Sequence, residues 1–343
     1  MIKCFVKYLT FMKMKKLNQF SKVFLAIAIM LTVTHSSVAH DFEVNGIFYN
    51  CLDNPEKTVE VTYRGYSSFD YSDEYTGRIT IPSSVTYNDT TYVVNRIGFS
   101  AFNGCSDLSE VIIPNSTTEI HDRAFAGCVG LTSVKIPNSV TFIGSHVFSY
   151  CTSLTEVSIP NSVRTINSDA FCGCTGLTSV IMPNSVTEIR SYAFRDCTNL
   201  TLIAIPNSVT NIGYWTFYET GWYNKQPDGI LYLDNCCLGY KGSAPVGELS
   251  LKDDTRLISE GAFSGCSDLT SITIPNSVTE IGGYVFFDCS KLETVVCLNP
   301  TPPACESLGI ESNVTLYVPA GSRDKYSNHN AWGIFRNIKE IHQ

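Results

Sequence analysis

Cysteines 105, 128, 151, 174 and 197 are evenly spaced at steps of 23, and Cys266 and Cys289 resume that phase three steps after Cys197. A period of this length commits the chain to a stack of like layers, since one such unit cannot bury its apolar side alone. A full period reads Leu131-Thr-Ser-Val134-Lys-Ile136-Pro137-Asn138-Ser-Val140-Thr-Phe-Ile143, followed by Val147-Phe148-Ser-Tyr-Cys151. In Leu-x-x-Val-x-Ile the apolar side chains fall on one face of a short strand and the intervening ones face solvent. Proline cannot donate to a strand ladder, so it stops the strand and, with Asn-Ser, turns the chain. Val-x-x-Ile predicts a second short extended segment on the opposite flank. Ala-Phe-x-x-Cys is too short for a stable helix and predicts a tight turn that drives Phe inward. The expected architecture is a β-rich right-handed superhelix with short parallel strands and short helical turns. Nine rungs at about 4.8 Å each give a spine on the order of 40 Å.

The phase also exposes where the repeat departs from itself. Thr216-Phe217-Tyr-Glu-Thr220 stands where Ala-Phe-x-x-Cys belongs, and Leu249-Ser-Leu251 with Leu257-Ile258 stands where a strand and its return belong. Residues 229–240 instead alternate around Asp234-Asn235, which predicts a hairpin in place of a regular rung. The step from Pro82 to Cys105 is longer than its counterpart in later rungs, such as Pro137 to Cys151, so extra residues near Tyr87 to Asn95 are expected to lengthen a loop.

The phrases Ile-Pro-Asn-Ser-Val-Thr-Glu-Ile-Gly (274–282) and Ala-Phe-Ser-Gly-Cys (262–266) resemble the BspA-type leucine-rich repeats, over roughly residues 79–296. The resemblance implies a leucine-rich-repeat solenoid that is secreted or held at a cell surface. It also implies a role in protein binding, with adhesion to host matrix proteins or other cells proposed for several members. It implies no particular ligand.

Residues 1–39 have the parts of a signal peptide: Lys15 and Lys16, an apolar run over 23–33, and Ser37-Val38-Ala39 at the cleavage position. The run is about half the roughly 20 residues that span a bilayer, so no membrane span is expected after cleavage. Met14-Lys15-Lys16-Leu17 would also open such a peptide, leaving the true start open. Removing six lysines and no acids takes the formal charge from −8 to −14. A chain this acidic, with no basic stripe, repels phosphate backbones, so nucleic acid is not an expected partner. The chain then divides into a signal peptide (1–39), an N-terminal cap (40–78), the repeats (79–296, irregular at 221–245) and a C-terminal cap (297–343).

The N-terminal cap carries Phe42, Phe48, Tyr49, Tyr63, Tyr66, Phe69, Tyr71 and Tyr75, as a cover for the first rung or as an aromatic carbohydrate-binding patch. In the C-terminal cap, residues 314–318 read as a strand, Ser322 as a helix start running to about Asn328, and Trp332, Phe335, Ile338 and Ile341 as the seal. Stacked cysteines point the same way at rung spacing, beyond the Cβ separation a disulfide prefers, so they are expected as buried thiols. Cys297 and Cys305, in irregular sequence, remain free to pair or not. Cys172-Gly-Cys174 and Cys236-Cys237 have no nearby His and predict no metal site.

No His-Glu-x-x-His, phosphate loop or Gly-x-Ser-x-Gly elbow occurs, and His121 and His146 occupy variable repeat positions. The expectation is a protein without catalytic residues, cofactors or metals. Binding is expected on the outward positions of the strands: Glu110, Ile112, Lys135, Glu156, Ile181, Leu202 and Ala204, with Trp222 and Tyr223 beside the hairpin. Ile181, Leu202 and Ala204 form an apolar patch there, or else pack beneath the hairpin. The expected partner is an extracellular or host matrix protein. A glycan, or a structural surface role with no specific ligand, are the alternatives.

Overall fold

The structure is a computed structural model that describes residues 40–65 and 74–341. It is a β-solenoid of about 11 turns with parallel strands and few helices. One face is laid down by Gly77–Thr80, Leu108–Ile112, Ser133–Lys135, Glu156–Ser158, Ser179–Ile181 and Leu202–Ala204, paired in that order in one six-stranded sheet. The same face resumes in a five-stranded sheet of Gly247–Ser250, Leu269–Ile274, Thr294–Cys297, Thr315–Pro319 and Asn337–Ile341. The last two strands fall within residues 297–343, so the ladder continues past the residues that resemble the repeat. The strands Ser133–Lys135, Glu156–Ser158 and Ser179–Ile181 turn their middle residues Val134, Val157 and Val180 inward and leave the flanking pair outside.

Inside the stack, Phe102, Phe125, Phe148, Phe171, Phe194 and Phe217 form one column of parallel rings with centroids 5.0–5.7 Å apart. The buried apolar residues divide into two clusters. Phe217, Leu233, Cys236 and Leu257 close the first, and Cys237, Ile258 and Phe263 open the second.

The Ala-Phe-x-x-Cys segment differs in kind from the single tight turn expected. Ala124, Ala126 and Cys128 N–H bond back within their own rung to His121, Arg123 and Phe125 carbonyls, while Arg123, Phe125 and Gly127 N–H bond to Ser145, Val147 and Ser149 of the next rung. Alternation of this kind needs left-handed backbone at two positions, here Arg123 (φ 57°) and Gly127 (φ 71°). Later rungs repeat it at His146 and Tyr150, Tyr192 and Asp196, and Trp215 and Glu219. Such φ values are uncommon outside glycine, and the bonds to the neighbouring rung hold them.

Two departures from the period take defined shapes. The extra residues after Pro82 form a hairpin of Ser84–Tyr87 and Thr90–Ile97 rather than a loop. Asn88 (φ 47°) and Asp89 (φ 56°) make its turn, the left-handed pair that a two-residue hairpin uses. At the second departure the strand face has no strand. The short helix Gly221–Lys225 stands just ahead of that position, its Gly221 and Trp222 N–H bonded back to the Cys197 and Leu200 carbonyls and Thr220 accepting from Tyr223 N–H at its start. Gly229–Leu233 and Cys236–Lys241 then pair antiparallel about Asp234-Asn235, and the second of them rejoins the stack through Leu257 and Ile258.

At the N-terminal end Phe42, Phe48, Tyr49 and Tyr75 are buried, and Tyr75 Oη donates to Thr62 O at 2.8 Å. Tyr66, Phe69 and Tyr71 lie outside the described residues, as do residues 1–39, on which the expectation of a signal peptide falls. At the other end Ser322 begins the helix Arg323–Ser327, and Trp332, fully buried, donates its indole N–H to Pro303 O at 2.9 Å. Cys297 and Cys305 are not joined, and the Tyr326 hydroxyl sits 3.1 Å from Cys297 Sγ.

Candidate functional site

The outward residues of the first sheet come together in two columns. Register pairs Ile112 with Lys135, Ser158 with Ile181, and Ile181 with Ala204, making one column across the rungs. The second column places Glu110 and Glu156 on either side of Ser133, and sets Leu202 beside Ser179. Arg78 pairs with Glu110 at 3.3 Å where the column begins. Ile181 is 80% exposed and Leu202 69% exposed, so neither packs beneath the hairpin. Leu202–Ala204 is the last strand of its sheet. Seven of the nine residues named from the sequence thus share one face, running from charged at its start to apolar at its end.

Trp222 and Tyr223 are elsewhere. They lie on the helix Gly221–Lys225 and line a cavity of about 350 Å³ bounded by Tyr214, Trp215, Tyr218, Leu238, Tyr240 and Glu260. Tyr214, Trp215 and Tyr218 stack in a row, with centroids 4.9 and 4.8 Å apart. Tyr192 meets both Tyr214 and Trp215 edge-on at 6.3 Å. Lys241 Nζ sits 5.1 Å from the Tyr223 ring and bonds the carbonyls of Tyr223, Asn224 and Gln226, which pins the helix to the hairpin. Burial raises the Tyr214, Tyr223 and Tyr240 hydroxyls above the ordinary tyrosine value. They therefore stay protonated at neutral pH, able to donate as well as accept.

Tyr214, Tyr218, Tyr240 and Glu260 were not among the residues picked from the sequence. The signal for the three tyrosines was an excess of aromatic residues at variable positions between 214 and 240, in the stretch where the consensus lapses, and Glu260 carried none. What brings Glu260 to them is a backbone bond across the missing rung, from Glu260 N–H to Ile212 O at 2.8 Å.

Among the described residues no cluster of His, Cys, Asp and Glu could hold a metal ion, and no helix is long and apolar enough to cross a membrane. No curated protein matches the sequence. Solved structures that resemble it include a leucine-rich repeat protein from Bacteroides ovatus, 26% identical, covering 88% of this chain and 79% of that one with a TM-score of 0.35. A leucine-rich cell surface protein from Faecalibacterium prausnitzii is 23% identical over 88% of this chain and 95% of its own, with a TM-score of 0.42. The leucine-rich repeat protein of T. pallidum is 25% identical over 73% and 90%, with a TM-score of 0.43. The description "BspA type Leucine rich repeat region" matches residues 95–224 and 234–303, in six copies. Those residues are more than half of the chain and contain the 23-residue phase, the Phe column and the cysteine ladder, so the chain belongs to the BspA-type leucine-rich repeat family.

Proposed function

We propose that this protein is a non-catalytic scaffold, secreted or held at the cell surface, that docks an extracellular protein on its strand face. Leucine-rich repeat proteins are in general interaction or structural proteins rather than enzymes, which supports a non-catalytic reading. The exposure of Ile181 and Leu202 at the end of a charged sheet carries the reading. Large aliphatic side chains standing in water on adjacent strands, with Lys135, Glu156 and the Arg78–Glu110 pair along the same face, have the chemistry of a contact patch with a polar margin. The partner this fits is a matrix protein with an apolar patch of its own. The leader-like residues 1–39 support export.

The test is binding of residues 40–343 to immobilised matrix proteins, beside an Ile181→Asp, Leu202→Asp variant. Saturable binding that disappears in the variant while its melting temperature holds is the expected result. Equal binding by both proteins, or binding by neither, removes the docking site.

A further inference from the structure

The turn segments of successive rungs are tied by a second ladder. In the rung before the cavity, Tyr192, Phe194 and Asp196 N–H donate to Tyr214, Thr216 and Tyr218 carbonyls, each at 3.0 Å. In the rung after it, Gly261, Phe263 and Gly265 N–H donate to Gly283, Val285 and Phe287 at 2.8–3.1 Å. Between them the ladder is open. The rung that should fill the position is the antiparallel hairpin, which supplies Leu238, Gly239 and Tyr240 instead of an Ala-Phe-x-x-Cys turn. Among the described residues, the N–H groups of Trp215 and Phe217 on one lip have no backbone carbonyl opposite them. On the other lip the carbonyls of Glu260 and Ser264 have no N–H opposite, while that of Ala262 is covered by the Gly239 backbone. All five residues line the cavity, together with the aromatic rings and the Glu260 carboxylate.

From this we infer that the cavity is a saccharide-binding site, taking a single pyranose ring at or near a chain end. Its volume of about 350 Å³ is at the lower end of ligand pockets, which fits a small group. A pyranose has C–H faces that lie against aromatic rings and a rim of hydroxyls that both donate and accept. That combination answers what is present: rings of Trp215, Tyr218, Tyr223 and Tyr240, open N–H donors on one side, open carbonyls and a carboxylate on the other. A quaternary ammonium would use the rings and the carboxylate but would leave the N–H donors unanswered. The assignment is independent of the strand face, which lies on a different part of the rung. It also differs from an aromatic patch in the N-terminal cap, where Phe42, Phe48, Tyr49 and Tyr75 are interior.

Two of the three tryptophans, Trp215 and Trp222, line the cavity, so the protein reports its own occupancy. Residues 40–343 are titrated with methyl glycosides of glucose, galactose, mannose and N-acetylglucosamine, followed by tryptophan fluorescence and by calorimetry. At least one glycoside should bind saturably. Affinity should fall about tenfold or more in Trp215→Asn, whose asparagine tolerates the left-handed backbone, and in Glu260→Gln. It should be unchanged in the Ile181→Asp, Leu202→Asp variant, which separates this site from the docking face. Binding of none of the four, equal binding by Trp215→Asn and Glu260→Gln, or saturation by tetramethylammonium in place of a sugar would each overturn the assignment.

Discussion

Cys128 Sγ lies 3.0 Å from the carbonyl oxygen of Phe102 in the preceding rung, and the contact recurs from Cys151 to Phe125, Cys174 to Phe148, Cys197 to Phe171 and Cys289 to Phe263 at 3.0–3.1 Å. Only a protonated thiol can donate such a bond. The repeat therefore uses cysteine as a small apolar filler with one weak donor, and the column of thiols depends on every member staying neutral.

The first consequence concerns alkali. Burial pushes the Cys174 and Cys266 thiols up to about 12 and Cys289 up to about 11, and holds Cys128, Cys151 and Cys197 well above the ordinary value of 9.0. These groups hold their protons more tightly folded than unfolded. Their contribution is complete below pH 9 and is lost as pH climbs from there through the folded values. Each thiol ionised only in the unfolded chain adds a slope of about 1.4 kcal/mol per pH unit. Urea denaturation between pH 8 and 11 should show steep loss of stability, and Cys151→Ala should make it shallower. A flat profile over that interval would contradict the buried column.

Thiol labelling gives a second check. Cys51 is exposed, and Cys128, Cys151, Cys174 and Cys197 are interior. Brief alkylation of the native protein at pH 8 should modify Cys51 and leave Cys128, Cys151, Cys174 and Cys197 untouched until denaturant is added, as read by peptide mass spectrometry. Labelling of those four at the rate of Cys51 would contradict the packing.

The paired left-handed positions can be tested by glycine exchange. Gly265 (φ 77°) and Asp288 (φ 59°) occupy the same phase in adjacent rungs, and a Cβ at Gly265 would meet nothing within 4 Å. Conformation alone should then set the outcome. Gly265→Ala should lose about 1–2 kcal/mol, and Asp288→Gly should gain a smaller amount. Opposite signs in thermal denaturation would show that these turns are not held as described.

The division of the core predicts unequal melting. Phe148 is fully buried between Phe125 and Phe171. Phe148→Ala should cost about 3–5 kcal/mol. Since the Phe column ends at Phe217 and the apolar clusters part at Cys236 and Cys237, the loss should fall first on amides 98–220. Hydrogen exchange would show protection over 250–340 outlasting it. Equal loss along the whole chain would mean one cooperative unit.

Much of this was legible because one phase repeats. Once Leu, Val, Ile, Phe and Cys are aligned on the common period, inward and outward positions follow. Whether Ile181 and Leu202 stand in water or pack beneath the hairpin does not follow, and only the structure leaves both exposed. Asp234-Asn235 announced its hairpin by local turn chemistry, and the helix Arg323–Ser327 by the serine before it. Asn88-Asp89 carried the same kind of signal but was hidden by an apparent surplus of residues. The cavity was not legible, because it arises from a pairing the phase forbids. The bond from Glu260 to Ile212 spans twice the sequence separation of the regular bond, as from Gly213 to Ile189. Periodicity places residues relative to the next rung, and this contact skips one.

The irregular rung keeps the count. Strands on either side of it remain a whole number of repeat steps apart, so the break displaces nothing downstream. Excision or duplication of one repeat unit within 100–200 would leave ends that mate with the same neighbours as before. The length of the strand face can therefore drift between relatives like the number of beads on a string, while the aromatic recess, built from rungs on both sides of the break, is carried along as a fixed clasp.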